Sequence, residues 1–394
     1  MTIELDENHE HYRLEVRDWL EDNCPNAMRL PNGPDNKDTC WGGRNWCFSS
    51  MEQKEWMERM VLKGWTVPEW PVEYGGAGLS KYQAKILQEE LLAINARPPL
   101  LSFGIWMLGP ALLKYGTVKQ KLEHLPPIAR GDIRWAQGYS EPNAGSDLAA
   151  LMTKCEDKGD HFLINGQKVW TSYADEADCI FSLVRTNFEV PKHEGISFVL
   201  IDMNQAGVTT KPIKLISGNS PFCETFFDNA RAEKKNLVGE LNKGWSIAKY
   251  LLTHEREMIG AWGGDLGRPL CDIAAQQVGL DENSKLENSI LRADIARTEI
   301  DGIAFALTLE RINDEVKSGQ GVGAASSMLK YYGTELNKTR MELLVDCAGY
   351  EALDWLGSDN MASQWLRTKA NSIEGGTSEV QLNIISKHIL GLPN

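Results

Sequence analysis

Hydrophobic and polar positions divide the chain into a helical first third, a strand-rich middle and a helical last third. Between residues 8 and 130 apolar side chains return every three or four positions, the period of a helix with one buried face. Tyr12, Val16 and Leu20 mark such a face over 11–20, and the pattern resumes over 51–63, 81–94, 101–115 and 119–129. The stretch 24–46, rich in Pro, Asn, Asp and Gly, reads as a loop. Arg97-Pro98-Pro99 separates two helices, and Pro126-Pro127 predicts a bend or break in the last one. From 132 to 238 the pattern changes to short apolar or alternating runs at 162–164, 179–185, 196–201, 208–213 and 223–227. Tight Gly, Asn and Asp turns between them predict a small antiparallel barrel or sandwich. Helical spacing returns after 242. The segment 285–317 carries Leu286, Ile290, Ala293, Ala296, Ile300, Ile303 and Leu307 on one predicted buried face, and 328–348 follows it. Helices of this length predict a bundle. The expected fold is α+β and mostly α: an N-terminal helical domain over 1–131, a β-barrel domain over 132–238 and a C-terminal helical bundle over 239–394.

The change from helix to strand falls on WAQGYSEPNAGSD, residues 135–147. Gly138 and Gly145 let a backbone come close to a large ligand, and Ser140, Glu141, Ser146 and Asp147 supply short polar groups at a strand end. Residues 167–172, QKVWTS, form a second polar and aromatic strand. An indole flanked by two hydroxyls can stack on a flat ring and hydrogen-bond its edge.

Composition narrows the classes. At 394 residues the chain exceeds one comfortable core. A net charge of −14, from 41 basic and 55 acidic residues, argues against a nucleic acid or an anionic membrane as the main partner. The 13 tryptophans therefore read as core and cavity lining. None of the eight cysteines forms a Cys-x-x-Cys pair, and no histidine cluster accompanies them, so no metal site is expected and the thiols read as reduced. The acidic N-terminus lacks an apolar run and the longest apolar runs are too short for a bilayer, so the expected location is cytoplasmic.

Four blocks then carry a resemblance. GYSEPNAGSDL at 138–148, INGQKVWTS at 164–172, PEWPVEYGGAGLS at 68–80 and EGGTSEVQLNII at 374–385 resemble the acyl-CoA dehydrogenase family in order and spacing. The resemblance implies FAD as cofactor, an acyl-CoA as substrate and oxidation to the 2,3-enoyl-CoA. A base removes the α-proton and flavin N5 takes the β-hydride. It carries Gln137, Tyr139, Ser140, Gly145 and Ser146 over to the flavin, with Trp170 against the ring and Ser172 toward N5. It places Thr377 and Glu379 near the pyrophosphate and adenosine end, although both also fit a helix cap. It further implies an acceptor such as electron-transfer flavoprotein, and lipid breakdown, of fatty acids or steroid side chains, as the setting.

The base departs from the commoner family pattern, which has a carboxylate where this chain has Gly375. A minority of the family uses a Glu directly before an Arg on the first helix of the C-terminal bundle, here Glu255-Arg256. The spacing supports Glu255 independently: Ile247, Ala248, Leu251, Leu252, Ile259 and Trp262 form an apolar stripe that contains it. A carboxylate there is costly unless it is paired or functional. Gly375 keeps a backbone N–H that the resemblance places on the thioester oxygen, and Glu374 is the alternative base. Rival readings are a flavin oxidase or monooxygenase of the same fold, and a non-catalytic structural subunit; the latter would be expected to lack Glu255, Trp170 and Ser172. The Arg97-Pro98-Pro99 break and Trp106 point to a bulky or ring-bearing acyl group. In homotetrameric members an Arg and a Phe between the first two bundle helices hold the neighbouring subunit's adenine. The matching link, 272–284, contains neither. The chain thus resembles the larger, catalytic subunit of heteromeric dehydrogenases, with a homologous second chain expected to complete the site.

Overall fold

The computed structural model describes residues 2–29, 39–261, 269–317, 323, 325–355 and 361–393, without the side chains of 2–8, 253–261, 313 and 316–317. The chain forms two compact units, Met1–Pro212 with Phe222–Ala248, and Ile213–Pro221 with Lys249–Asn394.

The first unit begins with α1 (Thr2–Asn23), α2 (Met51–Leu62) and α3 (Lys81–Ala93). Side-chain caps start two of them: the Ser50 hydroxyl accepts from Gln53 N at 3.1 Å, and Ser80 with Gln83 forms a reciprocal capping box. Val16, Leu20, Trp56, Met60 and Leu87 bury themselves in one core. The Glu90 carboxylate accepts from Arg13 and Arg17, both at 2.8 Å, which fixes α1 on α3. The helix expected over 101–115 is divided. Pro110 has no N–H to return to residue 106, and the ladder widens into a π-helical turn, Gly104–Leu108, before α4 (Gly109–Tyr115). Gly109 N accordingly donates to Gly104 O. The expected break at Pro126-Pro127 does not occur: α5 (Val118–Ala129) runs through both prolines, and Arg130 N returns to Pro126 O. The Gln120 side chain donates to Lys235 O and Leu237 O, each at 2.7 Å, and ties α5 to the end of the sheet.

The sheet holds β1 (Trp135–Gly138), β2 (Lys154–Asp157), β3 (His161–Ser172), β4 (Cys179–Arg185), β5 (Ile196–Asp202), β6 (Val208–Ile213), β7 (Phe222–Glu233) and β8 (Leu237–Val238). Its order is β6-β7-β3-β2-β4-β5-β8, with β1 beside β4. Two features of the expected barrel are corrected. The sheet stays open, ending on β6, which carries Lys211 and Pro212, and on two-residue β8; a charge and a proline on one edge and the shortness of the other blunt further pairing. It is also mixed, because β4 runs parallel to β1 and β2. Phe162, Ile164, Ile180, Val184, Val199, Ile201 and Phe227 share its core.

In the second unit α9 (Ala325–Ala348) packs against α7 (Leu270–Val278), α8 (Ser289–Lys317), α10 (Met361–Thr368) and α11 (Ser378–His388). The face expected to be buried on α8 is corrected: Ile290, Ile300, Ile303 and Leu307 are 57–74% exposed. The buried stripe is Leu291, Ile295, Phe305 and Ile312, which shares the 3.6-residue period but lies on a different side of the helix. In chain order α6 (Gly244–Ala261) leads from the first unit into the second, with Ile247, Ala248 and Leu251 buried as its stripe predicts. Glu255 and Arg256 fall within α6, but their side chains lie outside the described residues.

Candidate active site

The first unit builds a wall where β1 and β3 end. Along β3 the side chains alternate, placing Phe162, Ile164 and Lys168 inward, until a bulge between Lys168 and Thr171 shifts the register. The shift turns Trp170 outward, 54% exposed, with its backbone in the left-handed region at φ 61°. That conformation costs a non-glycine residue about 1–3 kcal/mol and persists only when its surroundings over-determine it. They do so here. The buried Thr171 hydroxyl donates to Cys223 O at 2.7 Å and accepts from the Thr225 hydroxyl, also at 2.7 Å. On the other flank Val169 N donates to Ser140 O at 2.9 Å. Phe222 stands edge-on to the Trp170 ring and pairs in register with Ser172.

Lys168 is fully buried and its ammonium donates to Tyr139 O at 3.0 Å and to Glu141 Oε1 at 2.8 Å. Glu141 also accepts from Met152 N at 2.6 Å and Thr153 N at 2.9 Å. Burial pushes the Lys168 pKa down to about 8, against the pull of Glu141. Burial pushes Glu141 up, but the charge and hydrogen bond of Lys168, with Thr153 and Met152, outweigh it and leave the pKa below its ordinary value. The pair is therefore ionised at neutral pH. A second buried cation holds the far end of the same loop: Arg185 donates to Ala149 O, Leu151 O and Lys192 O. Between these anchors Gly145 and Ser146 stand exposed, with open space where a Gly145 side chain would project. At the other extreme, a Cβ on Gly138 would meet Ile180 and Ser182 at 2.8 Å, so only glycine lets β1 lie so close to β4.

The structure thus brings Tyr139, Ser140, Trp170 and Ser172 into one hydrogen-bonded region. Sequence reasoning missed its fastenings, Lys168 and Arg185, and named Glu141 only as a polar group at the strand end, whereas it turns inward and accepts from Lys168, Met152 N and Thr153 N. It also named Trp106 alone, whereas Trp106 belongs to a cluster. Trp41 lies 4.9 Å from Tyr173 and 6.4 Å from Trp106, and Phe103 stacks on Trp106 at 5.3 Å. The Arg134 guanidinium covers Trp41 at 5.0 Å and Tyr173 at 5.3 Å. The cluster starts one residue beyond Ser172 and includes the π-helical turn.

In the second unit the C-terminal motif forms a turn with Gly375 at φ 63° and Gly376 at φ 92°. Buried Gln381 reaches back to donate to Gly375 O at 3.0 Å. The Thr377 hydroxyl accepts from Val380 N at 3.3 Å and caps α11. Glu379 stands in the first turn of that helix, where its own backbone N–H and the Thr377 hydroxyl lower its pKa. Glu374 is committed elsewhere: Arg367 donates to both its oxygens, at 3.2 and 2.8 Å, and Asn371 Nδ2 to one at 2.7 Å. Asn371 is itself held by Lys330 Nζ and Asn337 Nδ2, each at 2.9 Å. Among the described residues no cluster of His, Cys, Asp and Glu could hold a metal ion, and no helix is long and apolar enough to cross a membrane.

A helical first region, an open sheet with a stacking wall and a helical last region match three consecutive family descriptions. The acyl-CoA dehydrogenase N-terminal domain matches residues 6–132, the middle domain 136–230 and the C-terminal domain 242–390. The chain belongs to the acyl-CoA dehydrogenase family and is an oxidoreductase of that class. Acyl-CoA dehydrogenase IpdE1 of Mycobacterium tuberculosis is 34% identical over 98% of both chains. Among solved structures, the Tcur3481-Tcur3483 steroid ACAD is 30% identical with a TM-score of 0.78, over 98% of both chains. The ChsE4-ChsE5 complex from Mycobacterium tuberculosis is 29% identical with a TM-score of 0.77, again over 98% of both.

Members of the family typically bind FAD, and the residues present fit such a ligand. Trp170 offers an exposed indole face. The buried Gln137 Nε2 has no hydrogen-bond partner among the described residues. The loop around Gly145 leaves open space for a backbone to meet a ligand.

Proposed function

We propose that this chain binds FAD along the ends of β1 and β3 and oxidises an acyl-CoA thioester to the 2,3-enoyl-CoA. The observation that carries the reading is the Trp170 wall, a strained and exposed indole fixed from both sides in a family member. FAD, when bound, supplies the acceptor for the β-hydride. Trp170 stacks on its ring, Ser172 faces N5, and Gln137, Tyr139, Ser140, Gly145 and Ser146 line the adjoining segment. Thr377 and Glu379 serve the pyrophosphate and adenosine end, a role compatible with the observed cap because Thr377 keeps a second lone pair. Glu255 removes the α-proton, next to Arg256, and the N–H of Gly375 holds the thioester oxygen. The engagement of Glu374 by Arg367 and Asn371 supports the choice, since it ties that side chain to its own turn.

The acyl group we assign is bulky and ring-bearing. The Trp41, Phe103, Trp106 and Tyr173 rings offer flat apolar surface beside the flavin wall, and the relatives include one titled a steroid ACAD. The test is a panel of acyl-CoA thioesters mixed with the holoenzyme, read as bleaching of the flavin band with electron-transfer flavoprotein or an artificial dye as acceptor. A cyclic or steroid-like thioester should be turned over at least about tenfold faster than octanoyl-CoA, the scale set by apolar pocket discrimination. Equal rates would remove the ring assignment, and rapid peroxide release would favour an oxidase.

We further assign a homologous but different chain as the partner. The exposed Ile290, Ile300, Ile303 and Leu307 form an apolar stripe too long to be left in water by a monomer. The stretch 272–284, expected to be a link, is α7 to Val278 and a turn beyond it; Asp281 and Glu282 are exposed in that turn and repel a diphosphate. The ChsE4-ChsE5 relative is a two-chain complex. Expressed alone, the chain should aggregate or form an assembly with less than one FAD per chain. Mass by light scattering and flavin by absorbance decide it: a stable homotetramer with one tight FAD per chain and full activity would exclude the second chain.

A further inference from the structure

The buried ion pair of Lys168 with Glu141 takes no part in the chemistry assigned above, yet it joins the two segments that make the flavin wall. Lys168 sits two residues before Trp170 on β3, while Tyr139 O and Glu141 lie on the loop that leaves β1. Glu141 in turn reaches Met152 N and Thr153 N, where the loop returns to β2. One carboxylate and one ammonium therefore pin the 139–141 loop and the 152–153 backbone to β3. Close by, Val169 N donates to Ser140 O and ties this part of β3 to the loop. Beyond the bulge the backbone of Trp170 is left-handed, a state that relaxes once either flank is released.

We propose that Lys168 is a positioning residue: with Glu141 it holds the 139–141 loop against β3 and keeps Trp170 turned out to receive the isoalloxazine. A purely structural pair would contribute to stability and nothing else. A positioning pair sets the local order of the wall whether or not flavin is bound. The inference rests on the FAD reading for its ligand but not for its first readout.

The experiment uses the full chain, with its partner chain if one is needed for solubility, and the double variant K168M/E141Q. It removes both charges together and leaves an amide oxygen to accept from Met152 N or Thr153 N, so no buried charge is stranded. Three measurements follow: thermal unfolding, amide hydrogen exchange of the 139–141 and 168–170 segments without flavin, and FAD binding with the visible spectrum. The variant should unfold within a few degrees of the parent. Exchange in both segments should accelerate, the FAD dissociation constant should rise by about 10–100-fold, the scale of a lost charged hydrogen bond, and the flavin band should shift. The single variant Glu141→Gln keeps the bond from Lys168 to Tyr139 O but leaves the buried ammonium without its counter-ion, so it too should lose exchange protection and affinity. Unchanged exchange, affinity and spectrum in the double variant would overturn the proposal. If the double variant does not fold, Glu141→Gln decides: unchanged exchange, affinity and spectrum would overturn the proposal, and faster exchange in both segments with weaker FAD binding supports it. If the parent chain bound no FAD, the flavin reading would fall, while exchange in the 139–141 segment would still decide the clamp.

Discussion

Glu255→Gln is expected to fold, retain flavin and lose about 10²–10⁴-fold in turnover, the contribution of a positioned general base. Glutamine keeps the shape and hydrogen-bonding reach of the side chain but cannot take a proton. The expectation rests on the helix that carries the residue. Ile247, Ala248 and Leu251 are buried on α6, and Glu255 follows Leu251 by four positions, which keeps it on the same face. The control is Glu374→Gln. Because Glu374 is held by Arg367 and Asn371, this change should loosen the 374–377 turn and lower stability while turnover falls only a few-fold. Single-turnover flavin bleaching separates chemistry from product release. Near-normal bleaching by Glu255→Gln with a dead Glu374→Gln would transfer the base to Glu374.

Glu255 stands out in the sequence as a candidate and Lys168 does not, and the difference is one of pattern. A carboxylate inside a long helical stripe interrupts an apolar period that is otherwise unbroken, so its oddity is visible. A lysine in a strand looks like any solvent-facing residue. Yet the parity of β3 held the signal: Phe162 and Ile164 point inward, and Lys168 shares their face. The bulge that follows hides it, because Trp170 has the same parity but faces out. Bulges depend on partner strands, here β7, and a single strand carries no record of its partner. The α8 error has a related cause. Its sequence bears two apolar stripes of equal period, and only the placement of α9 decides which one becomes core. Sheet closure was illegible for the same reason. The strands were recognisable one by one, but their order, which separates β6 from β8, belongs to the fold as a whole. Caps were legible because they are local: Thr377 announces α11 within three residues.

The single variant Lys168→Met should cost about 3–5 kcal/mol in unfolding free energy, the usual penalty for removing one partner of a buried pair. Glu141 would remain 8% exposed with Met152 N and Thr153 N as donors but no cation. Adding Glu141→Gln should restore most of the loss, because no charge is then stranded, and the cycle gives the coupling energy directly. Proton linkage supplies an independent check whose sign follows from the two shifts. Lys168 titrates near 8 in the folded chain against 10.5 when unfolded. Between those values the unfolded chain holds the extra proton, so the parent gains stability as pH rises, by about 3 kcal/mol across the window if the whole shift is realised. Glu141 acts at the other end. Its folded pKa lies below the ordinary 4.5, so its contribution is present above that value and is lost as pH falls through the folded one. Relative to K168M/E141Q, the parent should therefore lose stability on going from pH 7 to pH 4 and gain it on going from pH 8 to pH 10. Urea unfolding of both proteins at these pH values measures the differences. Parallel stability curves across the whole range would mean that Lys168 and Glu141 titrate alike in the folded and unfolded chains, and the buried pair would then have no energetic role in the wall it joins.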